Sequence, residues 1–502
     1  MIKNKFYQYG NQSGRIPAYP NLGKEVYDNM VTNKDIVALV NADTSEQMTY
    51  GEMAQSIADI ALSLSRMGIG KGDVVCICSE KNFEFLPTVL GVICSGAVFS
   101  PTDLTYGSPH RVKIVRPRVV FCSLTAFIQH KPVFDEVGSV EHYILYGDQA
   151  QDGAILFKDF LTETVPLEDF EPVPVNGLED TAIILYTSGT TGLPKGIFLF
   201  FSYKAMVLYT SREFFHSYGL MYALACLRSS ATLVYNVNGG EVPMLEAVQK
   251  YKVRVLQLAP MIVTELIKSV NLDRYDLSSI NYIISSSTYL REDAVVAIKK
   301  RIPSLVSVLQ LYGMSEGGCI CNELACTKGY KAGSSGLPGL GFIMKVVDLE
   351  TRQPLGPNRQ GEICIKGPSV MKAYLGNVQP DCKDEEGFLK TGDVGYYDED
   401  GYFFVVAPAE FEDILLQHPA VREVGVVGKP HHVHGEVPVA FIVLQSGATA
   451  SEAELVEHLN SRVTYKMRLA GGVRFIDRLP RGAGDKLDRR DLMQRLVDED
   501  AN

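Results

Sequence analysis

The chain lacks a long basic run, although it contains 502 residues. Its 48 lysines and arginines are outnumbered by 59 aspartates and glutamates, which gives a formal net charge of −11 at pH 7. Because an acidic chain repels polyanions, we do not expect nucleic acid or an anionic membrane as its main partner. An anionic ligand such as a nucleotide would need a local binding site.

Long uninterrupted apolar runs are also missing. The first residues, MIKNKFYQYG, are polar and lack the apolar core of a secretory signal. The most apolar stretch, FLPTVLGVICSGAVFSP at 85–101, is interrupted by Pro87, Gly91 and Gly96. It is marginal in length for a membrane span, so we expect a buried core segment and no transmembrane helix.

The ten cysteines do not show the spacing of a zinc site. Cys319, Cys321 and Cys326 form a C-x-C-x4-C pattern without paired histidines, which suits tetrahedral zinc poorly. We therefore expect buried free thiols, as in a reducing compartment.

What the chain does contain is an alternation of helical and apolar segments. Thr49 and Glu52 have the spacing of a capping box, which predicts a helix that begins there and stops at Gly68. Short apolar runs predict strands covered on both faces. They lie at 74–78, 119–122, 182–185, 253–258 and 282–285. This alternation predicts an α/β fold with largely parallel sheets.

The pattern changes after about residue 330. Alternating segments such as 361–366 and 402–406 predict antiparallel β structure, and short α and β patterns return from Pro408 onward. The expected organisation is a large N-terminal domain, residues 1–405, made of stacked α/β sheets plus a β-rich subdomain. A small α+β C-terminal domain follows at residues 406–502.

The sequence YTSGTTGLPKGI at 186–197 is a candidate phosphate-binding loop. Its glycines would let backbone N–H groups approach an anion, and its hydroxyls and one lysine add donors. It is not a Walker loop, because Lys195 lies between Pro194 and Gly196, and it does not match G-x-G-x-x-G either. Composition alone also leaves a flexible surface turn open.

This loop resembles the signature loop of the adenylate-forming superfamily, which includes acyl-CoA synthetases, 4-coumarate–CoA ligases and insect luciferases. Further blocks resemble the same family in the same order and cover nearly the whole chain. They are TYGEMAQSIADIALSLSRMGIGKGDVVCICSEKNFEF, LYGMSEGG, GEICIKGPSVMKAYLGN, FLKTGDVGYYDEDGYFFVV and LPRGAGDKLDRRDLM. The run APAEFEDILLQHPAV is similar to the insect luciferase-like acyl-CoA synthetases.

The resemblance implies ATP-dependent activation of a carboxylic acid, fatty or aromatic, to an acyl-adenylate, followed by transfer to coenzyme A. Mg2+ is the implied metal, and ATP, coenzyme A and a small carboxylic acid are the implied partners. The family also leaves open a luciferin monooxygenase-like activity. The β- and γ-phosphates would be wrapped by Thr187, Ser188, Gly189, Thr190, Thr191, Gly192 and Lys195.

The resemblance also implies roles for four residues of two later motifs. Tyr312 would stack on adenine, and Ser315 would contact the α-phosphate. Glu316 would help to hold Mg2+, for which a carboxylate oxygen is a suitable hard ligand. Asp393 would accept hydrogen bonds from both ribose hydroxyls, as a carboxylate can. In isolation, Glu316 could instead be a helix cap and Asp393 could end a turn.

Two further residues are implied at the reacting groups. Lys486 would bridge the incoming carboxylate and the α-phosphate, and His216 would lie beside the acyl pocket. The ordinary alternatives are a solvated lysine at 486 and a hydrogen-bonded core histidine at 216.

Three departures from the family pattern qualify this interpretation. Val406 runs through Ala407 directly into Pro408, so the family's hinge segment is absent. Only 20 residues separate Gly196 from His216, where the family has a longer segment. Asp485 precedes Lys486 in place of a glycine, and a carboxylate there disfavours a nearby phosphate. A catalytically impaired nucleotide- or acyl-binding homologue is therefore the alternative function.

The sequence ends DEDAN and does not carry an S-K-L-type peroxisomal address. Cytosol is the expected location, with the peroxisome kept open by the family resemblance.

Overall fold

The structure is a computed structural model. It describes residues 6–10, 21–102, 109–161, 164–177, 179–186, 191–192, 206–286, 290, 292–323, 331, 333–349, 351–371, 373, 382–405, 408–431, 435–460, 469, 471–481 and 487–500.

The helices of this part are, in chain order, α1 (Leu22–Thr32), α2 (Tyr50–Arg66), α3 (Phe85–Cys94), α4 (Pro109–Val115), α5 (Leu124–Val137), α6 (Phe157–Phe160), α7 (Ser217–Arg228), α8 (Glu241–Tyr251), α9 (Pro260–Lys268), α10 (Glu292–Arg301), α11 (Pro408–Leu416), α12 (Glu452–Asn460) and α13 (Arg489–Asp500). A 3-10 turn covers Leu272–Arg274. Within the described ranges, no helix is both long and apolar enough to cross a membrane.

The strands are β1 (Tyr7–Tyr9), β2 (Val37–Asn41), β3 (Gln47–Thr49), β4 (Val74–Cys78), β5 (Val98–Pro101), β6 (Val119–Cys122), β7 (His142–Leu145), β8 (Ile155–Leu156), β9 (Leu185–Tyr186), β10 (Thr191–Gly192), β11 (Val207–Thr210), β12 (Thr232–Tyr235), β13 (Val255–Leu258), β14 (Tyr282–Ser285), β15 (Ser307–Met314), β16 (Gly318–Asn322), β17 (Leu337–Pro338), β18 (Ile343–Val347), β19 (Gly361–Lys366), β20 (Leu389–Tyr397), β21 (Phe403–Val405), β22 (Val421–His431), β23 (Gly435–Leu444) and β24 (Val473–Phe475).

The capping box that the sequence predicts is formed at the start of α2. Glu52 donates its backbone N–H to Thr49 Oγ1 at 3.2 Å, and Thr49 donates its own N–H to Glu52 Oε2 at 2.7 Å. The helix ends just before Gly68, whose φ of 71° lies in the left-handed region that glycine tolerates best. Both predicted ends of this helix are confirmed.

The apolar stretch at 85–101 is a core segment, as expected. It divides into α3 and β5 with a turn between them, and every residue of it is buried. Of the three interruptions only Gly96 marks this division, since it has a φ of 80° in the turn after α3, whereas Pro87 and Gly91 lie inside α3.

Two parallel sheets form the centre of the molecule. The first has the strand order β5-β4-β6-β7-β8 and is parallel throughout. The second has the order β17-β16-β15-β14-β13-β11-β12-β2-β3, with parallel pairing from β15 through to β2 and antiparallel strands at both edges. One hydrophobic cluster joins residues of α1, α2, α3 and α7 to strands of both sheets, so these helices are packed between the sheets.

The β-rich subdomain and the small C-terminal α+β unit also match the prediction. The order β1-β18-β19-β20-β21 gives an antiparallel sheet of five strands. In the C-terminal part, β22 and β23 pair antiparallel, β24 joins them in parallel, and α11 and α12 share a hydrophobic core with this sheet.

The predicted strand at 182–185 is largely wrong. Of its residues only Leu185 lies in a strand, β9, which pairs antiparallel with β10 in a two-stranded hairpin. Ile183 makes a single parallel bridge to Phe99, and its side chain is 2% exposed. The apolar pattern therefore predicted correctly that the segment is buried, but it did not predict that pairing with β5 is limited to a single bridge.

Candidate active site

Tyr312 and Asp393 come from different sheets and meet in a hydrogen bond. Tyr312 lies on β15, beyond its parallel pairing with β14 and next to a register shift opposite β16. Asp393 lies within β20 of the antiparallel sheet. The Tyr312 hydroxyl donates to Asp393 Oδ2 at 2.7 Å. Two motifs that the sequence placed in one nucleotide site are thus in direct contact.

Burial dominates the electrostatics of this pair. At Asp393, burial raises the pKa of the carboxyl above its usual range, the hydrogen bond from Tyr312 lowers it, and the charge of Glu362 raises it again. Burial likewise raises the pKa of Tyr312 well above the usual value, and the adjacent Asp393 charge adds to this. The tyrosine is therefore a hydrogen-bond donor at neutral pH.

The part of β20 that leads to Asp393 is held by Glu362 and by hydrogen bonds of Thr391. Gly392 has a φ of 74°, and its N–H donates to Glu362 Oε1 at 3.0 Å. Asp393 donates its N–H to Thr391 Oγ1, also at 3.0 Å, and Thr391 donates its hydroxyl to the carbonyl of Ile363 at 2.7 Å. These contacts orient Asp393 from inside a strand, so the interpretation of Asp393 as the end of a turn is wrong.

Ser315 and Glu316 lie in the tight turn between β15 and β16. The carbonyl of Glu316 accepts from the Met371 N–H at 2.7 Å, and the Glu316 residue is 8% exposed. A Cβ on Gly313 would lie 2.4 Å from the carbonyl oxygen of Gly318, so the close approach of the two strands requires glycine. Glu316 is not at a helix end, which makes the helix-cap interpretation wrong.

The turn is linked to the segment that carries His216. Ser315 donates its hydroxyl to Ser217 Oγ at 3.1 Å, and Ser217 is the first residue of α7. His216 is the N-cap of that helix, and its Nδ1 accepts from the Tyr218 N–H at 3.3 Å. His216 is exposed, so it is not a core histidine. The structure thus groups His216, Tyr312, Ser315, Glu316 and Asp393.

The phosphate loop is described only in part. Its flanks, β9 and β10, pair as Tyr186 with Thr191 and Leu185 with Gly192. The backbone of Thr191 and Gly192 is described, whereas Thr187, Ser188, Gly189, Thr190 and Lys195 lie outside the described residues.

Lys486 also lies outside them, together with residues 197–205 of the segment between Gly196 and His216. The residues on either side of Lys486 are joined, because Arg481 and Leu487 form an antiparallel bridge. The roles of all these residues stay predictions.

Sequence reasoning missed a glutamine that organises the site. Gln257 is fully buried at the carboxyl end of β13. Its Oε1 accepts from the Thr210 hydroxyl at 2.5 Å, and its Nε2 donates to the carbonyl of Tyr218 at 3.2 Å. It therefore connects two strands to the first turn of α7. The available signal was a single polar residue in the apolar run VLQL, at the edge where ligands bind in parallel sheets.

A buried carboxyl at Glu323 was missed as well. It is 6% exposed just after β16, and its Oε2 accepts from the Gln310 N–H at 3.0 Å. Burial raises its pKa to about 7, against the lowering effects of that hydrogen bond and of Lys299. A negative charge on this carboxyl is therefore disfavoured in the folded chain.

Among the residues the structure describes, no group of three or more histidine, cysteine, aspartate and glutamate side chains could hold a metal ion. Cys319 and Cys321 are free thiols on β16, and Cys326 lies outside the described residues. Burial raises the pKa of Cys319 to about 12.

Comparison with known proteins shows the family to which the chain belongs. A family model described as AMP-binding enzyme matches residues 27–375, and one described as AMP-binding enzyme C-terminal domain matches residues 410–486. The chain belongs to the family of adenylate-forming, AMP-binding enzymes.

Its relatives include enzymes of two kinds. Luciferin 4-monooxygenase of Nipponoluciola cruciata is 32% identical over 504 residues, which cover 92% of this chain and 91% of that protein. 4-Coumarate–CoA ligase 1 of Petroselinum crispum is 31% identical over 527 residues, which cover 97% and 96%. The ATP-bound structure of MatB from Rhodopseudomonas palustris has the same fold, with a TM-score of 0.79 at 24% identity over 96% of this chain and 99% of that one.

Proposed function

We propose that the chain activates a carboxylic acid, fatty or aromatic, with ATP and then transfers the acyl group to coenzyme A. In the first step a carboxylate oxygen attacks the α-phosphorus, and pyrophosphate leaves. In the second step the thiol sulfur attacks the acyl carbonyl, and AMP leaves. The observation that carries the proposal is the hydrogen bond between Tyr312 and Asp393, together with the link from Ser315 to the helix of His216.

The geometry suits a nucleoside next to an acid. Asp393 uses one oxygen to accept from Tyr312, and an ionised carboxylate has further acceptor positions for ribose hydroxyls. Tyr312 is 8% exposed, and by the family resemblance its ring would stack on adenine. Ser315 is held within hydrogen-bond distance of α7, so a group bound at Ser315 also adjoins the His216 segment. Bringing the two reactants together in this way lowers the entropic cost of reaction.

Mg2+ fits the residues present, because Glu316 supplies a hard carboxylate oxygen in the turn beside Ser315. Glu316 would hold the ion together with phosphate oxygens, and the ion would neutralise phosphate charge there. The phosphate loop at 187–195 and Lys486 would supply the remaining donors.

ATP–pyrophosphate exchange with a panel of fatty and aromatic acids tests the proposal. We expect acid-dependent exchange, and we expect Asp393→Asn to raise the KM for ATP by about tenfold, because half of the acceptor capacity is lost. Asp152→Asn, on an exposed turn, is the matched control and should leave the KM unchanged. Failure of the natural chain to exchange with any acid would count against the activity.

A second candidate function rests on the junction between β21 and α11. β21 ends at Val405 and α11 begins at Pro408, so no separate hinge segment fits between them. A protein that binds nucleotide and acid without completing turnover would follow. The exchange assay should therefore be repeated with a family-like hinge inserted after Val406, and exchange that appears only in the inserted chain would favour this candidate. Light emission with luciferin, ATP and Mg2+ would favour the monooxygenase-like alternative.

A further inference from the structure

An ion pair connects the two parallel sheets next to the His216 segment. Lys81 lies in the loop between β4 and α3, and Glu213 lies between β11 and α7. Lys81 Nζ is 3.3 Å from Glu213 Oε1. The lysine side chain is 3% exposed, whereas the glutamate side chain is 39% exposed. A lysine is seldom buried to this extent unless it is paired.

The loop that carries Lys81 is well anchored. It follows the buried strand β4, and Asn82 Nδ2 donates to Ser79 Oγ at 2.9 Å within it. Phe85 then begins α3, and its ring lies 5.7 Å from the ring of Phe214, centroid to centroid. These contacts fix the backbone around Lys81, and burial of its side chain restricts where the ammonium group can lie.

Glu213 and His216 belong to one turn. The His216 N–H donates to the carbonyl of Glu213 at 3.2 Å. Phe214 is fully buried, with its ring 5.4 Å from that of Tyr235. On the opposite side, the hydrogen bond from Gln257 to Tyr218 holds the first turn of α7. A shift of Glu213 would therefore move the backbone that leads into His216.

Lys81 and Glu213 do not depend on this contact equally. A buried ammonium group is costly unless a carboxylate lies close to it, so Lys81 constrains where Glu213 can be. Glu213 itself has access to water and does not depend on Lys81 for solvation. Glu213 thus offsets the cost of burying Lys81, and Lys81 in turn restricts the position of Glu213 in the turn before α7.

We infer that Lys81 is a positioning residue, which acts through Glu213 to hold His216 and Ser217 in place for the acid substrate. The inference rests on the proposed function, since it takes His216 to border the acid. It predicts that loss of the Lys81 charge weakens recognition of the acyl group, while recognition of the nucleotide is retained.

Calorimetric binding of AMP and of a non-hydrolysable acyl-sulfamoyl-adenosine tests this without turnover. The variants are Lys81→Met, Lys81→Arg and Glu213→Gln. Lys345→Met is the matched control, because Lys345 is another buried lysine, 4% exposed and 2.7 Å from Asp384, in the antiparallel sheet. Far-UV circular dichroism would verify that each variant is folded.

We expect Lys81→Met and Glu213→Gln to weaken binding of the acyl compound by about tenfold or more, the order of loss for a displaced positioning group, and binding of AMP by less than about twofold. Lys81→Arg should restore most of the acyl affinity, and Lys345→Met should change neither affinity. Equal affinities in Lys81→Met and the natural chain would overturn the inference, as would a parallel loss of both. A natural chain that binds the acyl compound no better than AMP would instead contradict the proposed function.

Discussion

Replacement of Glu323 by glutamine should stabilise the protein, and by more at higher pH. The carboxyl is 6% exposed, and its Oε1 has no hydrogen-bond partner within the described part of the chain. Burial raises its pKa from 4.5 to about 7. The folded chain therefore keeps a proton that the unfolded chain releases at a lower pH. As the pH rises from about 4.5 to about 7, the free energy of unfolding falls, and the full cost is present above pH 7.

The magnitude follows from the size of the shift. A difference of about 2.5 pKa units at 1.36 kcal/mol per unit corresponds to about 3 kcal/mol. Glutamine keeps an oxygen that can accept from the Gln310 N–H and carries no charge at any pH. We therefore expect Glu323→Gln to be more stable than the natural chain by about 3 kcal/mol at pH 8 and by about 1 kcal/mol at pH 5.

Urea unfolding followed by far-UV circular dichroism at pH 5, 6, 7 and 8 would measure this difference. Glu265→Gln is the control, because Glu265 is exposed in the middle of α9 and its replacement should have little effect at any of these pH values. An advantage of Glu323→Gln that stays constant from pH 5 to pH 8 would refute the reasoning, and so would a natural chain that is the more stable one at pH 8.

Three further substitutions test one turn beside the site and two elements away from it. Gly313→Ala should destabilise the turn by about 2 kcal/mol and reduce pyrophosphate exchange, because its Cβ would lie 2.4 Å from the Gly318 carbonyl oxygen. Gly356→Ala is the control, since a Cβ on Gly356 would meet nothing within 4 Å. Equal effects of the two substitutions would contradict the steric argument. Lys345→Met should lower the free energy of unfolding by about 2 kcal/mol in urea titrations, since it leaves Asp384 and Glu386 without their cation. An unchanged urea midpoint would show that these ion pairs contribute nothing to stability. Thr49→Ala should cost about 1 kcal/mol in the same titrations through loss of the capping box, and a loss below about 0.3 kcal/mol would show that the cap is dispensable.

Much of the fold could be predicted from the sequence where local chemistry decides the structure. The capping box at Thr49 and the interrupted apolar run at 85–101 specify their elements through nearby residues. The run at 182–185 shows the limit of that logic. An apolar run reports that a segment is buried, but a buried segment can pair over several residues or, as Ile183 does, through a single bridge.

The candidate site was predictable motif by motif, through the resemblance of each motif to the family. The contacts between motifs were not, because the partners are far apart in the chain. Lys81 and Glu213 look like ordinary surface charges in sequence, and their pairing depends on how two sheets pack together. Glu323 would be assigned to the surface by the general behaviour of glutamate, and only the neighbouring strand explains its burial.

The short linker after β21 limits how far the start of α11 can lie from the end of β21. Three consecutive Cα–Cα steps, from Val405 to Pro408, reach at most about 11 Å. A larger separation between the end of β21 and the start of α11 would require the first turn of α11 to unwind or β21 to detach from β20. A rearrangement that needs such a separation would be an activated local unfolding event, whose rate would rise with mild denaturant and temperature. The distance between the C-terminal part and β21 would thus be set by a short linker, which could lengthen only if the adjoining end of β21 or α11 unfolds.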